Sequence, residues 1–309
     1  MIHTFSANPI DRVEAIRKDD KHLRNLKQTT PSLFLLFKDF KVLTTTQEKL
    51  ATIQWLSSEE LADLGPAYQD IFLGLFNGIA RFAVDVSNVP SLIEKTDELG
   101  YCFQDCRKVA SLLPHEQTGI LAQARSQLEW HKRNKYCGNC GNKTLNARGG
   151  HMRRCPQCEQ TSFPRTDPVV IMLVTRDDHC LLGKPAGRIA NTNLYTALAG
   201  FIDQGESIEE AVRREVMEEA GISVGNVKYH SSQPWPFPYS LMIGCNAHAT
   251  STEIKIDNNE LADAAWFSRK QIFRALQDNN SILEIPRPIA IAHHLIKDWA
   301  FGKISTNND

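Results

Sequence analysis

Residues 200–222, GFIDQGESIEEAVRREVMEEAGI, place acid where a packed helix should place hydrocarbon. Ser207 with Glu210 three residues on reads as a capping box, and Gly221 as a C-terminal stop, which predicts a helix from Ile208 to Ala220. At about 100° per residue, Ile208, Ala211 and Val212 define the apolar face, with Val216 at its edge. Glu215 and Glu219 fall in the same sector, one turn apart, and Glu218 lies on its flank. Glu209, Glu210 and Arg213 fall on the opposite, solvated side. Burying an unpaired carboxylate costs several kcal/mol, and two at this spacing repel. A divalent cation bound by hard carboxylate oxygens would resolve the conflict. Arg or Lys partners at a helix end would also do so, and residue types alone leave both readings open.

A second cluster is C137-G-N-C140, fourteen residues, then C155-P-Q-C158. Two C-x2-C knuckles at this separation predict one tetrahedral four-thiolate zinc per chain, on Cys137, Cys140, Cys155 and Cys158. Gly138 and Gly141 would permit the tight turns. Four protein ligands leave no open position, so such a zinc is structural. The competing reading is two separate, redox-active pairs. Lys132, Arg133, Lys135, Arg148, Arg153 and Arg154 nearby would suit nucleic acid, although a solvated basic face is the commoner meaning of such residues.

A third stretch, Ser232 to Ser240, reads SQPWPFPYS. Three prolines between aromatics predict a stiff, extended strip whose flat rings are ordered before binding. Such rings suit a nucleobase or a nicotinamide. Trp235 and Phe237 packed into a core is the alternative, and spacing alone favours it.

The elements that must position these groups are legible in part. Leu33–Phe37 and Lys41–Leu43 suggest a hairpin, Ser58–Leu64 a short helix, and Ile71–Leu75 with Ile79–Val84 two strands about the Asn77-Gly78 turn. Thr118–His131 has helical spacing. Residues 132–163 hold too few large apolar side chains to build a core alone. Beyond them come a buried strand at Asp167–Thr175, strands at Cys180–Leu182, Val227–His230 and Leu241–Ala249, a Thr196–Ala199 lead into glycine, and a helix near Ile289–Trp299. No internal repeat is visible in the residue pattern.

The composition is that of a globular chain: 309 residues, 42% hydrophobic and 23% charged, with a formal net charge of -1. That balance argues against a general nucleic-acid binder. Of the eight cysteines four form a metal framework and four are scattered, which points to a reducing compartment, here the cytoplasm. The first residues show no basic-then-apolar signal, so no signal peptide is expected, and no apolar run approaches the ~20 residues that span a bilayer.

The acidic helix with its flanks resembles the Nudix box. Gly200, Glu206, Arg214, Glu215, Val216, Glu218, Glu219, Gly221 and Ile222 match its fixed positions without departure. Downstream, SQPWPFPYS is similar to the hallmark strip of the NADH pyrophosphatase subfamily, and Asn8–Arg12 and Phe163–Pro168 look like the same group. The resemblance implies an α+β chain in three parts. An N-terminal α+β domain would occupy residues 1–131, a zinc ribbon 132–163, and a Nudix α/β/α sandwich with a mixed sheet 164–309. It also implies Mg²⁺ or Mn²⁺ on Glu215, Glu219, Glu260 and Glu218, with the Ala199 carbonyl able to join them and Arg214 orienting a carboxylate.

Substrate contacts would come from Ser232, Gln233, Pro234, Trp235, Pro236, Phe237, Pro238, Tyr239 and Ser240. Phe201 and Phe163 would add stacking rings, and Ala292 a backbone contact. Phe163 stands where some members carry tyrosine, keeping the stack but not the hydroxyl. The implied reaction is metal-assisted hydrolysis of the NADH or NAD⁺ pyrophosphate to NMN(H) and AMP, with Glu218 or a neighbouring glutamate as base. NAD-capped RNA is a longer substrate for the same site, and the family implies a homodimer. The alternatives are a Nudix hydrolase for ADP-ribose or dinucleoside polyphosphates, and a non-enzymatic ribbon adaptor, against which the intact glutamates argue.

Overall fold

The computed structural model describes residues 2–29, 31–47, 50–62, 69–89, 100–187, 190–278 and 282–303. The chain divides into two compact units, one of Ile2–Thr166 with Pro234–Tyr239, the other of Asp167–Gln233 with Ser240–Asp309.

In the first unit seven strands form one sheet: β1 (Ser32–Lys38), β2 (Lys41–Gln47), β3 (Leu50–Ile53), β4 (Trp55–Leu56), β5 (Gln69–Phe76), β6 (Ile79–Asp85) and β7 (Cys102–Asp105). The order is β3-β2-β1-β6-β5, with β4 added to β1 and β7 to β2. The β1–β2 hairpin is present, and β5 and β6 turn through Asn77 and Gly78 at φ 52° and 74°, the left-handed pair that a two-residue hairpin demands. Phe34, Leu36, Phe82 and Val84 pack with Leu23 and Leu61 of the helices Asp20–Thr29 and Ser58–Ala62. Residues 63–64 of the expected short helix lie outside the described residues. The helix His115–Arg133 packs on β5 and β6. Gly119 lets it approach the backbone of Ser6 and Asn8, where a Cβ would sit 2.5–2.6 Å from main-chain atoms.

The ribbon lies in this unit as three antiparallel strands, β8 (Leu145–Ala147), β9 (Met152–Arg154) and β10 (Thr161–Ser162). Besides its thiols, a buried polar network anchors it. Arg153 donates to Thr144 Oγ1 at 2.6 Å, Thr144 O at 2.8 Å, Asn146 Oδ1 at 2.7 Å and His131 Nδ1 at 2.9 Å. His131 in turn donates from Nε2 to Gly150 O at 2.7 Å. His151 repeats the pattern, accepting from Arg17 at 2.8 Å and donating to Phe72 O at 2.9 Å. Each imidazole is thereby held neutral, since an imidazolium has no lone pair to offer an arginine.

The second unit holds β11 (Asp167–Arg176), β12 (His179–Pro185), β13 (Leu198–Phe201), β14 (Val224–Trp235), β15 (Ser240–Ala249) and β16 (Leu261–Ser268). Their order is β14-β15-β11-β12-β16, with β13 on β11. The sheet is mixed: β11 runs parallel to β15 and antiparallel to β12 and β13. Alternation along β11 explains its unbroken apolar run. Val170, Met172 and Val174 meet Ala211, Val212 and Val216 of the helix Ile208–Ala220. Ile171 and Leu173 face Ile272 of the helix Arg269–Gln277 and Leu295, Ile296 and Trp299 of the helix Ile291–Ala300. The result is an α/β/α sandwich.

The first unit repeats this layout. There β1 runs parallel to β6 and antiparallel to β2 and β4, as β11 does to β15, β12 and β13. The residue pattern showed no repeat; the repetition lives in strand connectivity.

Candidate active site

The helix Ile208–Ala220 forms as its residues dictate. Ser207 Oγ accepts from Glu210 N at 3.2 Å, Glu210 accepts from Ser207 N at 2.7 Å, and Gly221 closes the helix at φ 67°. Glu215 and Glu219 are 8% and 6% exposed, so the carboxylates do sit on the inward face, while Glu218 is exposed. Glu215, Glu219 and Glu260 line a cavity of about 520 Å³, whose other walls include Thr196, Ala199, Gly200, Phe201 and Leu261.

Arg214 organises the acids. Its Nε and Nη2 grip both oxygens of Glu206 at 2.6 and 2.8 Å, and its Nη1 donates to Glu215 at 2.8 Å and Glu218 at 2.9 Å. A further bond to Phe201 O at 2.9 Å ties it to β13. This bidentate fork holds the Glu206 carboxyl down at about 2, with a backbone bond from Asp203 helping. Glu206 carries the arginine that carries the others.

Burial first, and then the charges of Glu215 and Glu260, push the Glu219 carboxyl up to about 8, against a bond from the Ala199 backbone. Glu215 is also raised, first by burial, with Arg214 pulling the other way. Without a cation these acids resist ionising together; a divalent ion supplies the charge they lack. The carboxylate donor set fits such an ion. Gly200 is part of the same design. A Cβ there would fall 1.9–2.1 Å from the Glu215 carboxylate, so only glycine leaves room for it.

The four cysteines close around one point, with all four Sγ atoms within 4.8 Å of one another. Cys137–Cys158 is 3.6 Å and Cys140–Cys155 3.5 Å. A zinc–sulfur bond near 2.3 Å gives a tetrahedral edge of about 3.8 Å, so the donor set fits zinc. Both knuckles share one turn: Gly141 N bonds Cys137 O at 2.9 Å and Glu159 N bonds Cys155 O at 3.0 Å, with left-handed φ of 73° and 59°. Gly138 is not left-handed; the reversal falls after the second cysteine of each knuckle.

The aromatic–proline strip departs from the extended strip expected of it. Ser232–Trp235 ends β14, but Pro236–Tyr239 turns back into β15 through a cis Phe237–Pro238 bond. Trp235 and Phe237 are half-buried. Phe5 meets them edge-on at 5.8 and 5.6 Å, and Arg107 lies over both at 5.4 and 4.5 Å. Arg125 covers Phe237 at 4.6 Å and donates to Pro236 O. Gln233 is fully buried, accepting from Ile291 N and donating to Ile289 O, both at 2.8 Å. Tyr239 is 9% exposed, with Arg165 over its ring at 5.8 Å. Pro234, Pro238, Ser232 and Ser240 are partly exposed.

Phe201 and Phe163 are 57% and 55% exposed, and Phe201 borders the cavity. The Ala292 side chain is buried in the sandwich core and does not line the cavity. Its N–H, in the first turn of Ile291–Ala300, is one of the donors a helix leaves unpaired. Sequence reasoning missed Thr196 and Leu261 among the cavity walls, because nothing in their types or spacing marks them.

Residues 165–285 match the NUDIX domain family model, 31–130 the NADH pyrophosphatase-like rudimentary NUDIX domain, and 132–163 the NADH pyrophosphatase zinc ribbon domain. The chain is 50% identical over 202 residues to the NAD-capped RNA hydrolase NUDT12 of Homo sapiens, across 60% of this chain and 42% of that protein. It thus spans less than half the length of that relative. It is 38% identical to the mitochondrial NAD(P)H pyrophosphatase NUDT13 of Homo sapiens, across 92% of this chain and 88% of that protein. The NAD-capped RNA hydrolase NudC of Pseudomonas aeruginosa is 33% identical, across 79% of this chain and 80% of its own. With three family models in sequence and relatives alike over nearly the full chain, this protein belongs to the NADH pyrophosphatase subfamily of the Nudix hydrolases.

Proposed function

We propose that this protein hydrolyses the pyrophosphate of NADH and NAD⁺ to NMN(H) and AMP, and that the same site removes NAD caps from RNA 5′ ends. The observation that carries the reading is the buried Glu215–Glu219 pair facing an open cavity beside Gly200. Glu215, Glu219 and Glu260, with Glu218 at the edge, would hold Mg²⁺ or Mn²⁺. Antiparallel strands send the N–H and C=O of one residue to the same side, so the Ala199 N–H bond to Glu219 favours its carbonyl as a further ligand. Bound there, a divalent cation neutralises the acids and polarises a phosphoryl oxygen.

The chain's own residues do the rest. Arg214 fixes Glu215 and Glu218 in one geometry, which is the positioning that phosphoryl chemistry depends on. Glu218 or a neighbouring glutamate takes the proton from the attacking water as its oxygen joins phosphorus and the bridging P–O bond breaks. Phe201 offers an exposed ring at the cavity edge. Trp235, Phe237 and the other residues of Ser232–Ser240, Phe163 and the Ala292 N–H are proposed to hold the nicotinamide or adenine end. The homodimer and the cytoplasm belong to this proposal. In support of the latter, none of the eight cysteines is joined in a disulfide, and four of them converge as the zinc set. No helix among the described residues is long and apolar enough to cross a membrane.

The test is a comparison of kcat/KM for NADH, ADP-ribose, diadenosine polyphosphates and NAD-capped RNA over a salt series. NADH or NAD-capped RNA should be preferred. A preference for ADP-ribose or the diadenosine substrates would refute the nicotinamide assignment.

A further inference from the structure

Arg81 is a buried cation that forms no ion pair among the described residues. It lies on β6 and is 9% exposed. Its Nη1 is closed off from solvent without a hydrogen-bond partner. Its guanidinium lies over the rings of Trp55 at 5.1 Å and Phe76 at 5.8 Å. Ring faces attract the charge but accept none of the in-plane N–H groups. Among the described residues no carboxylate pairs with it, and an arginine cannot escape the conflict by losing its proton. Arg153, the other buried arginine of the same unit, shows the usual solution, with its donors matched to Thr144, Asn146 and His131. A buried charge left unmatched is costly, so a site that retains one implies something to match it.

The space for that partner exists. Arg81, Trp55, Phe76, Gln117 and Ile120 line a cavity of about 90 Å³. Gln117 Oε1 accepts from Ile53 N at 2.9 Å, so its amide NH₂ remains as a second donor. That space admits a carboxylate or phosphate group. Guanidinium and amide donors flanked by two rings select an oxyanion. Glu116 also borders the cavity but is exposed, and it does not pair with Arg81.

We propose that the Arg81 cavity is an oxyanion-binding site that takes the carboxylate or phosphate end of a small molecule. The test is thermal unfolding of the full-length, zinc-loaded protein in inorganic phosphate, in acetate and in sodium chloride at equal ionic strength. At least one oxyanion should raise Tm saturably beyond chloride, and the responding anion identifies the source. Arg81→Met should weaken that binding at least about tenfold. Glu116→Gln, at an exposed position, should keep the fold and tighten binding by about threefold through loss of a like charge. The proposal falls if neither oxyanion exceeds chloride or if Arg81→Met responds like the wild type. It also falls if Glu116→Gln lowers Tm without tightening binding, because Glu116 would then be the counter-ion. Should Arg81→Met fail to fold, the Glu116→Gln titration decides alone.

Discussion

Gly200→Ala is the sharpest probe of how the site is built. The new methyl would lie 1.9–2.1 Å from the Glu215 carboxylate. Restoring ordinary contact requires a retreat of roughly 1.3 Å or more. Gly200 has no left-handed φ, so alanine meets no backbone strain there, and the cost falls on Glu215. That retreat strains the 2.8 Å bond from Arg214 to Glu215. A misplacement of about 1 Å in a positioned group costs about 100-fold, or roughly 2.7 kcal/mol of barrier. The assay is kcat/KM for NADH at saturating divalent cation, beside a thermal melt and a zinc determination. We expect kcat/KM to fall at least about 100-fold with zinc content unchanged and only a small loss in Tm. Wild-type kcat/KM in a folded Gly200→Ala protein would refute the claim that Glu215 must occupy the space the glycine leaves.

Glu219→Gln removes a buried acid that burial has pushed up to about 8. It should abolish turnover at every Mg²⁺ concentration while leaving the Tm of the zinc-loaded protein without added Mg²⁺ equal or higher, and measurable NADH hydrolysis would contradict its role. His131 and His151 are both held near 4, chiefly by burial. Below the unfolded value of about 6.5, the unfolded chain takes up protons that the folded chain refuses. Stability should therefore fall as pH drops from about 6.5 toward 4. At about 1.4 kcal/mol per unit, the two together amount to a few kcal/mol, readable by urea unfolding at pH 7, 6 and 5. A flat profile would show that these histidines are protonated in the fold. Zinc removal by chelator, or Cys155→Ser, should cost the ribbon its fold, since structural zinc contributes on the order of 10 kcal/mol. Unchanged amide exchange across 132–163 after verified zinc loss would contradict the thiolate site.

Where local chemistry decides structure, the residues spoke plainly. The capping pair Ser207–Glu210 and the stop at Gly221 delimit Ile208–Ala220, and the Asn77-Gly78 turn marks the β5–β6 hairpin. The Cys knuckles mark their own geometry, because their spacing is their function. Other features depend on partners distant in the chain. Asp20–Thr29 has only Leu23 and Leu26 as large apolar residues, too few to announce a helix before Phe34 and Phe82 are known to wait beneath it. The turn at Pro236–Tyr239 was hidden because prolines favour extension equally well until Phe5, Arg107 and Arg125 claim the rings. Glu206 was legible as a motif position, but its grip on Arg214 appears only in three dimensions. The likeness of the two sheets is a property of connectivity, so no residue pattern reveals it.

Titrating Mn²⁺ into the zinc-loaded protein, with the free ion followed by electron paramagnetic resonance, measures directly whether Glu215 and Glu219 are acids assembled for a cation. The account predicts saturable uptake by the wild type, lost or greatly weakened in Glu215→Gln and Glu219→Gln. No uptake by the wild type, or equal uptake by all three proteins, would contradict it.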